Sequence, residues 1–155
     1  MNFQKIVIAT DFSESSLAAL ETAYDLALQG GHTLHLIHVM EPYLVTGDPT
    51  AMLHPSVEQA YQEARERLAA LIPDGWIDEE KAQFLVVKPA VLTESSPAQA
   101  ITRFAQSKEA DLIIVGTHGR KGLTRMLMGS TAESLLRQSP CPVLVVKHKT
   151  LATAA

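Results

Sequence analysis

The run Leu112-Ile113-Ile114-Val115 is unbroken by any polar residue and ends in Gly116-Thr117-His118-Gly119. A strand apolar on both faces must be covered on both, and that calls for a parallel sheet with helices packed above and below. Comparable short runs recur along the chain, separated by longer stretches of helical period. Lys5 to Thr10, Thr33 to Val39, Phe84 to Val87, Asp111 to Val115 and Pro142 to Lys147 read as strands. The prediction is an α/β fold: a doubly wound, five-stranded parallel sheet flanked by helices, whose ligand lies beyond the carboxyl ends of the strands at the switch in strand order.

The helical stretches carry their own punctuation. Ser13 to Gln29 places Leu17, Leu20, Tyr24 and Leu28 on one face and ends at Gly30-Gly31, as C-cap glycines should. From Val57 the spacing Val57, Ala60, Tyr61, Ala64, Leu68, Leu71 marks an amphipathic helix that stops before Pro73, and Trp76 reads as a surface anchor after a turn. Ser96-Pro97-Ala98-Gln99 opens a third helix with Ser at the cap and Pro at the first turn, and turns Ile101, Phe104 and Ala105 inward. Ser130 to Gln138 is the last. Lys88-Pro89 suits an edge strand, where a missing N–H does no damage. Glu41 to Ser56, with three prolines and a glycine, reads as a long irregular loop leaving a strand end that faces the ligand.

Whole-chain properties exclude several functions. At 155 residues, with 46% hydrophobic and 19% charged, the chain suits one domain over 1–149, with 150–155 as a disordered tail. A net charge of −4 and no basic run argue against nucleic acid. No apolar segment reaches the length of a signal-peptide core or a membrane span, so a cytoplasmic location and no membrane partner are expected. Cys141 is the single cysteine, so an internal disulfide or a cysteine-based zinc site is excluded; between Pro140 and Pro142 it reads as a packing residue. His35 and His38 have an odd spacing that puts them on opposite faces of a strand, which prevents them from sharing a metal.

Three segments leave strand ends with polar or glycine residues: Ala9-Thr10-Asp11, His38-Val39-Met40 and Gly116 to Gly119. The third is followed by nine residues, Arg120 to Met128, and then Gly129-Ser130 at a helix start. Glycine lets a backbone approach an anion closely, and a helix N-terminus offers unpaired N–H groups and partial positive charge. A mononucleotide fits such a crevice with its base by the first two segments and its phosphates by the third. Gly129, Ser130 and Thr131 then supply donors, and Arg120, Lys121 and Arg125 supply charge. Each residue also has a plainer role. Ser130 with Glu133 has the spacing of a capping box, Asp11 alongside Ser13 is a helix cap as readily as a ligand contact, and the three basic residues are also ordinary solvated charges. His118 has no partner identifiable by spacing and is read as a neutral contact without chemistry.

Taken together, Ala9-Thr10-Asp11-Phe12-Ser13, the Gly-x-x-Gly-nine-Gly-Ser spacing from Gly116 to Ser130, and Pro140-Cys141-Pro142-Val143-Leu144-Val145-Val146 resemble the universal stress proteins over nearly the whole chain, and the glycine spacing resembles their ATP-binding branch. The resemblance implies a Rossmann-like fold of the adenine nucleotide alpha hydrolase type, with strand order 3-2-1-4-5. It implies ATP or ADP as ligand, with Mg2+ or Mn2+ on the phosphates. Ala9, Thr10, Asp11 and Val39 match positions around adenine and ribose, Val115 and Gly116 the floor, and Gly119, Gly129, Ser130 and Thr131 the phosphate contacts. Two residues depart from the family pattern, Ser95 where glycine is frequent and Ala9 where proline or valine is.

The function so implied is an ATP-binding regulatory protein of the stress response, with an unidentified protein partner. Hydrolysis is expected to be slow, since no general base, arginine finger or Walker lysine is recognisable. An adenylating or ATP-hydrolysing enzyme is the alternative, opposed by the absence of glycine from Asp11 to Ser16; a nucleotide-free dimeric scaffold is another. Relatives commonly pair their last strands, and Val143 to Val146 is apolar, so a homodimer through this strand is expected.

Overall fold

A computed structural model describes residues 3–30, 33–42, 56–76, 85–118 and 128–148. Along the chain lie β1 (Lys5–Ala9), α1 (Glu14–Gly30), β2 (Thr33–Met40), α2 (Val57–Ala70), β3 (Val86–Thr93), α3 (Pro97–Lys108), β4 (Leu112–Gly116), α4 (Ser130–Gln138) and β5 (Val143–Val146). The strands form one parallel sheet in the order β3-β2-β1-β4-β5. The chain winds outward from β1 through β2 to β3, then returns to lay β4 on the other side of β1. The doubly wound topology and the strand order are those expected.

Burial follows the pleat. Ile6 and Ile8 of β1 join Leu34, Leu36, Ala19, Leu20 and Leu68 in a core beneath α1 and α2. Val7, Ile37, Ile113 and Val115 join Ile101, Ala105, Ala132 and Leu135 beneath α3 and α4. Each central strand therefore feeds two cores, which is why its sequence shows no polar alternation. His35 and His38 fall on opposite faces, His35 edge-on to Phe104 of α3 and His38 against Phe12.

Local expectations needed correction where packing overrode pattern. The inward stripe of α1 is Ala19, Leu20, Ala23 and Ala27, while Leu28 is 50% exposed. Small side chains let that helix lie close to the sheet, so alanines take the stripe where leucines were expected. In α2, Ala64 and Leu68 are buried, and Val57, the first helical residue, is exposed. β3 was expected to end at Val87 but pairs with β2 through Thr93, carrying Pro89 within an edge strand. Trp76 is no surface anchor. It packs edge-on to Tyr24 with ring centroids 5.1 Å apart, and the Tyr24 hydroxyl, its pKa pushed up to about 12 by burial, donates to Leu71 O at 2.9 Å.

Cys141 packs against the α3/α4 core, and burial raises its thiol pKa, which suits a packing role. Phe84, most of the Glu41 to Ser56 loop, Gly119 to Arg125 and the tail from 149 onward lie outside the described residues. Among the described residues no helix is long and apolar enough to cross a membrane.

Candidate functional site

The turn after β1 is built around Thr10, whose groups are all engaged. Its N–H donates to Ile37 O at 2.9 Å, which ties β1 to the end of β2. Its Oγ1 lies 2.9 Å from Ser16 Oγ and accepts the Phe12 N–H at 3.0 Å, and its carbonyl lies 2.8 Å from His38 Nδ1. A carbonyl only accepts, so His38 carries its proton on Nδ1 in that bond. Thr10 is 3% exposed, and its engaged atoms shape the crevice.

Asp11 does not cap α1 directly. Its Oδ1 accepts the N–H of Ser13 at 3.0 Å and the Ser13 hydroxyl at 2.5 Å, while Ser13 Oγ accepts the Ser16 N–H at 3.3 Å. Ser13 is therefore the cap, and Asp11 orients it. Between them Phe12 takes a left-handed backbone, φ 65°, which for a bulky residue costs about 1–3 kcal/mol and persists only where neighbours enforce it.

At the end of β4 the reason for Gly116 is packing. A Cβ there would sit 2.6 Å from Ser15 Oγ and 2.7 Å from the Ser15 backbone, so only glycine lets the first turn of α1 close on β4. Ser15 Oγ accepts the His118 N–H at 3.3 Å and lies 3.3 Å from Thr117 Oγ1, which is 3.0 Å from His118 Nδ1. Thr117 also donates its N–H to Val146 O at 3.0 Å and accepts the Gly129 N–H at 2.5 Å. One residue thereby joins β4, β5 and α4. Sequence reasoning passed over Thr117 and Ser15; the only signals were a place inside the glycine motif and a place in a serine-rich run.

α4 starts without a side-chain cap. Its N-cap is Gly129, in extended conformation, so Ser130 is the first helical residue and the expected Ser130/Glu133 capping box does not form. Glu133 instead pairs with Arg137 at 2.6 Å. The first intrahelical bond runs from the Glu133 N–H to Gly129 O at 3.0 Å, which leaves the N–H groups of residues 130–132 directed out of the helix end. Ser130 is exposed and Thr131 half-buried. The positive end of the helix dipole emerges at the same place.

The other expected contacts surround this point. Ala9 and Val39 are half-buried at neighbouring strand ends, packed on the α3/α4 core. Val115 is 4% exposed, so only its backbone borders the crevice. Gly119 and Arg120 lie outside the described residues. The juxtaposition is thus of Ala9 to Asp11, Val39, Gly116 to His118 and Gly129 to Thr131. Among the described residues no group of three His, Cys, Asp or Glu could hold a metal ion. Fixed amide and hydroxyl donors at a helix end suit an anion better than a naked cation.

These features define a doubly wound α/β protein with polar and glycine residues gathered at its switch point. The chain belongs to the universal stress protein family, whose model matches residues 2–147. It is 34% identical over 149 residues to the universal stress protein MJ0531 of Methanocaldococcus jannaschii, covering 94% of this chain and 82% of that protein. The solved structure of MJ0577, from the same organism, superposes with TM-score 0.77 at 26% identity, over 96% of this chain and 99% of that one. A universal stress protein solved in complex with cAMP shares the fold with TM-score 0.60 at 23% identity, over 96% of this chain and all of that one (100%).

Proposed function

We propose that this protein binds an adenine nucleotide, ATP or ADP, across the carboxyl ends of β2, β1 and β4, and serves as a nucleotide-dependent regulator of the stress response. The observation that carries the proposal is the start of α4: a helix dipole and three outward amides, closed by a glycine that adds no competing oxygen, pinned to the end of β4 through Thr117. A relative with the same fold was solved with cAMP, which supports an adenine nucleotide as the ligand class.

In this reading Ala9, Thr10, Asp11 and Val39 border the base and ribose, and the backbone of Val115 and Gly116 forms the floor. His118, Gly119, Arg120, Ser130 and Thr131 attend the phosphates. Gly129 contributes through its lack of a side chain, since its own N–H is given to Thr117. Mg2+ or Mn2+ bound with the phosphates would neutralise part of their charge and would need few protein ligands of its own. Turnover is slow: His118 Nδ1 already faces Thr117 Oγ1, and no Walker lysine or arginine finger is recognisable in the sequence. The protein acts in the cytoplasm as a homodimer through the outer edge of β5, where Leu144 is 36% exposed.

The test is the nucleotide content of the protein as purified, read by chromatography after denaturation, beside a Gly119→Val protein. ATP or ADP near one per chain in the parent and little in the variant is expected. None in either, even after soaking with ATP and Mg2+, overturns the reading. A monomer mass in light scattering overturns the dimer.

A further inference from the structure

Phe12, left-handed in the β1–α1 turn, contacts both the His38 ring and the Arg67 guanidinium, two contacts that the nucleotide reading does not use. The Phe12 ring lies 4.6 Å from the His38 ring, tilted by 42°. On Phe12 sits the guanidinium of Arg67, its central carbon 3.8 Å from the ring centroid, reaching over from α2. The same His38 bonds the Thr10 carbonyl, and the Phe12 N–H bonds the Thr10 hydroxyl. These contacts therefore bear on the turn that carries Thr10 and Asp11 away from the carboxyl end of β1.

Phe12 is one of two non-glycine residues with positive φ among those described, and the other, Glu109, ends α3 as an ordinary left-handed cap. A bulky side chain in that region reverts to the β or α region unless its surroundings hold it. Arg67 is exposed and, among the described residues, forms no ion pair; its guanidinium lies over the Phe12 ring. An arginine spent on a ring face in that way is committed to holding the ring.

We infer that Arg67 is a positioning residue for the nucleoside half of the site: by clamping Phe12 onto His38 it keeps the strained turn in the one conformation that presents Thr10 and Asp11 to base and ribose. This rests on the nucleotide reading above. It assigns Arg67 no ligand contact, and it predicts a selective defect, because the phosphate half at α4 is held by other bonds.

The experiment compares binding of ATP and of inorganic tripolyphosphate, each with Mg2+, by calorimetry on the full chain and on Arg67→Met, Arg67→Lys and Phe12→Leu. Loss of an exposed cation–π contact, worth about 0.5–1 kcal/mol, should weaken ATP binding by roughly two- to fivefold in Arg67→Met, and less in Arg67→Lys. Tripolyphosphate affinity should not move in either. Phe12→Leu should lose more ATP affinity than Arg67→Met. Equal ATP affinity in Arg67→Met and the parent overturns the inference while leaving the nucleotide site intact. An equal loss for ATP and tripolyphosphate also overturns it, since that is the pattern of a general loosening. No ATP binding by the parent overturns the nucleotide reading, and the inference falls with it.

Discussion

α3 and α4 pack on the same face of the sheet, each entered from the carboxyl end of a strand, yet they begin in opposite ways. Ser96 caps α3: its Oγ accepts the Gln99 N–H at 3.4 Å, and Pro97 at the first turn has no N–H to leave over. Ser13 and Ser56 close α1 and α2 in the same manner. α4 has Gly129 in that place, which has no side chain to cap the first turn. A helix end satisfied from within has little left to offer a ligand, whereas an unsatisfied one beside a strand switch is an anion site in waiting. The glycine gives up the stability of a cap and keeps the donors available.

The comparison depends on α1 and β4 meeting closely enough to form the crevice, so the largest effect is expected at Gly116. Gly116→Ala drives a methyl into the Ser15 backbone, and overpacking of this kind should lower unfolding free energy in urea by roughly 2–3 kcal/mol. A loss below about 0.5 kcal/mol, within the range of ordinary surface changes, would show that the two elements are not locked.

Acid acts on the α3 side through His35. His35 lies under Phe104, and burial, followed by Lys108, Lys88 and Lys5, lowers its pKa from 6.5 to about 4. The unfolded chain then binds a proton that the folded chain refuses, so stability rises with pH between about 4 and 6.5. The urea midpoint should fall as pH drops from 7 through that window, and His35→Leu should flatten the fall. An unchanged slope in the variant would place the acid sensitivity elsewhere.

Converting one helix start into the other sharpens the contrast further. Gly129→Asp gives α4 a cap like those of its neighbours. Stability should hold or rise by a few tenths of a kcal/mol, while ATP affinity drops about tenfold or more as a carboxylate takes up the donors. A variant that binds ATP as well as the parent would break the argument from α4. In the opposite direction, Ser96→Ala should cost about 1 kcal/mol in stability and leave ATP binding unchanged. A loss of binding there would mean that the two helix ends are not independent.

The fold was legible because its signals are local and repeated. Unbroken apolar runs at β1 and β4, the mostly apolar run of β2, and Ser96-Pro97 at α3 each state a backbone preference that the packed structure also favours. The misreadings share a cause. Leu28 is expected in the inward stripe and is exposed, while Ala23, outside that stripe, is buried, because helical period fixes which residues share a stripe and closeness to the sheet decides which stripe is used. The expected strand three stops at Val87 and the observed one runs on to Thr93, while the edge position that Lys88-Pro89 suggests is the one it occupies.

The site divides along the same line. Sequence by itself determined which segments reach the carboxyl ends of the strands and that glycine marks two of them, because topology follows from the order of strands and helices. Only the tertiary structure decided what the glycines are for: Gly116 admits the backbone of Ser15, and Gly129 leaves a helix open. It also decided that Ser130 is not a cap, that Thr117 joins three elements, and that Arg67 meets Phe12 across 55 positions of chain (67 − 12). Such contacts depend on distances between residues remote in sequence, and no local preference encodes a distance.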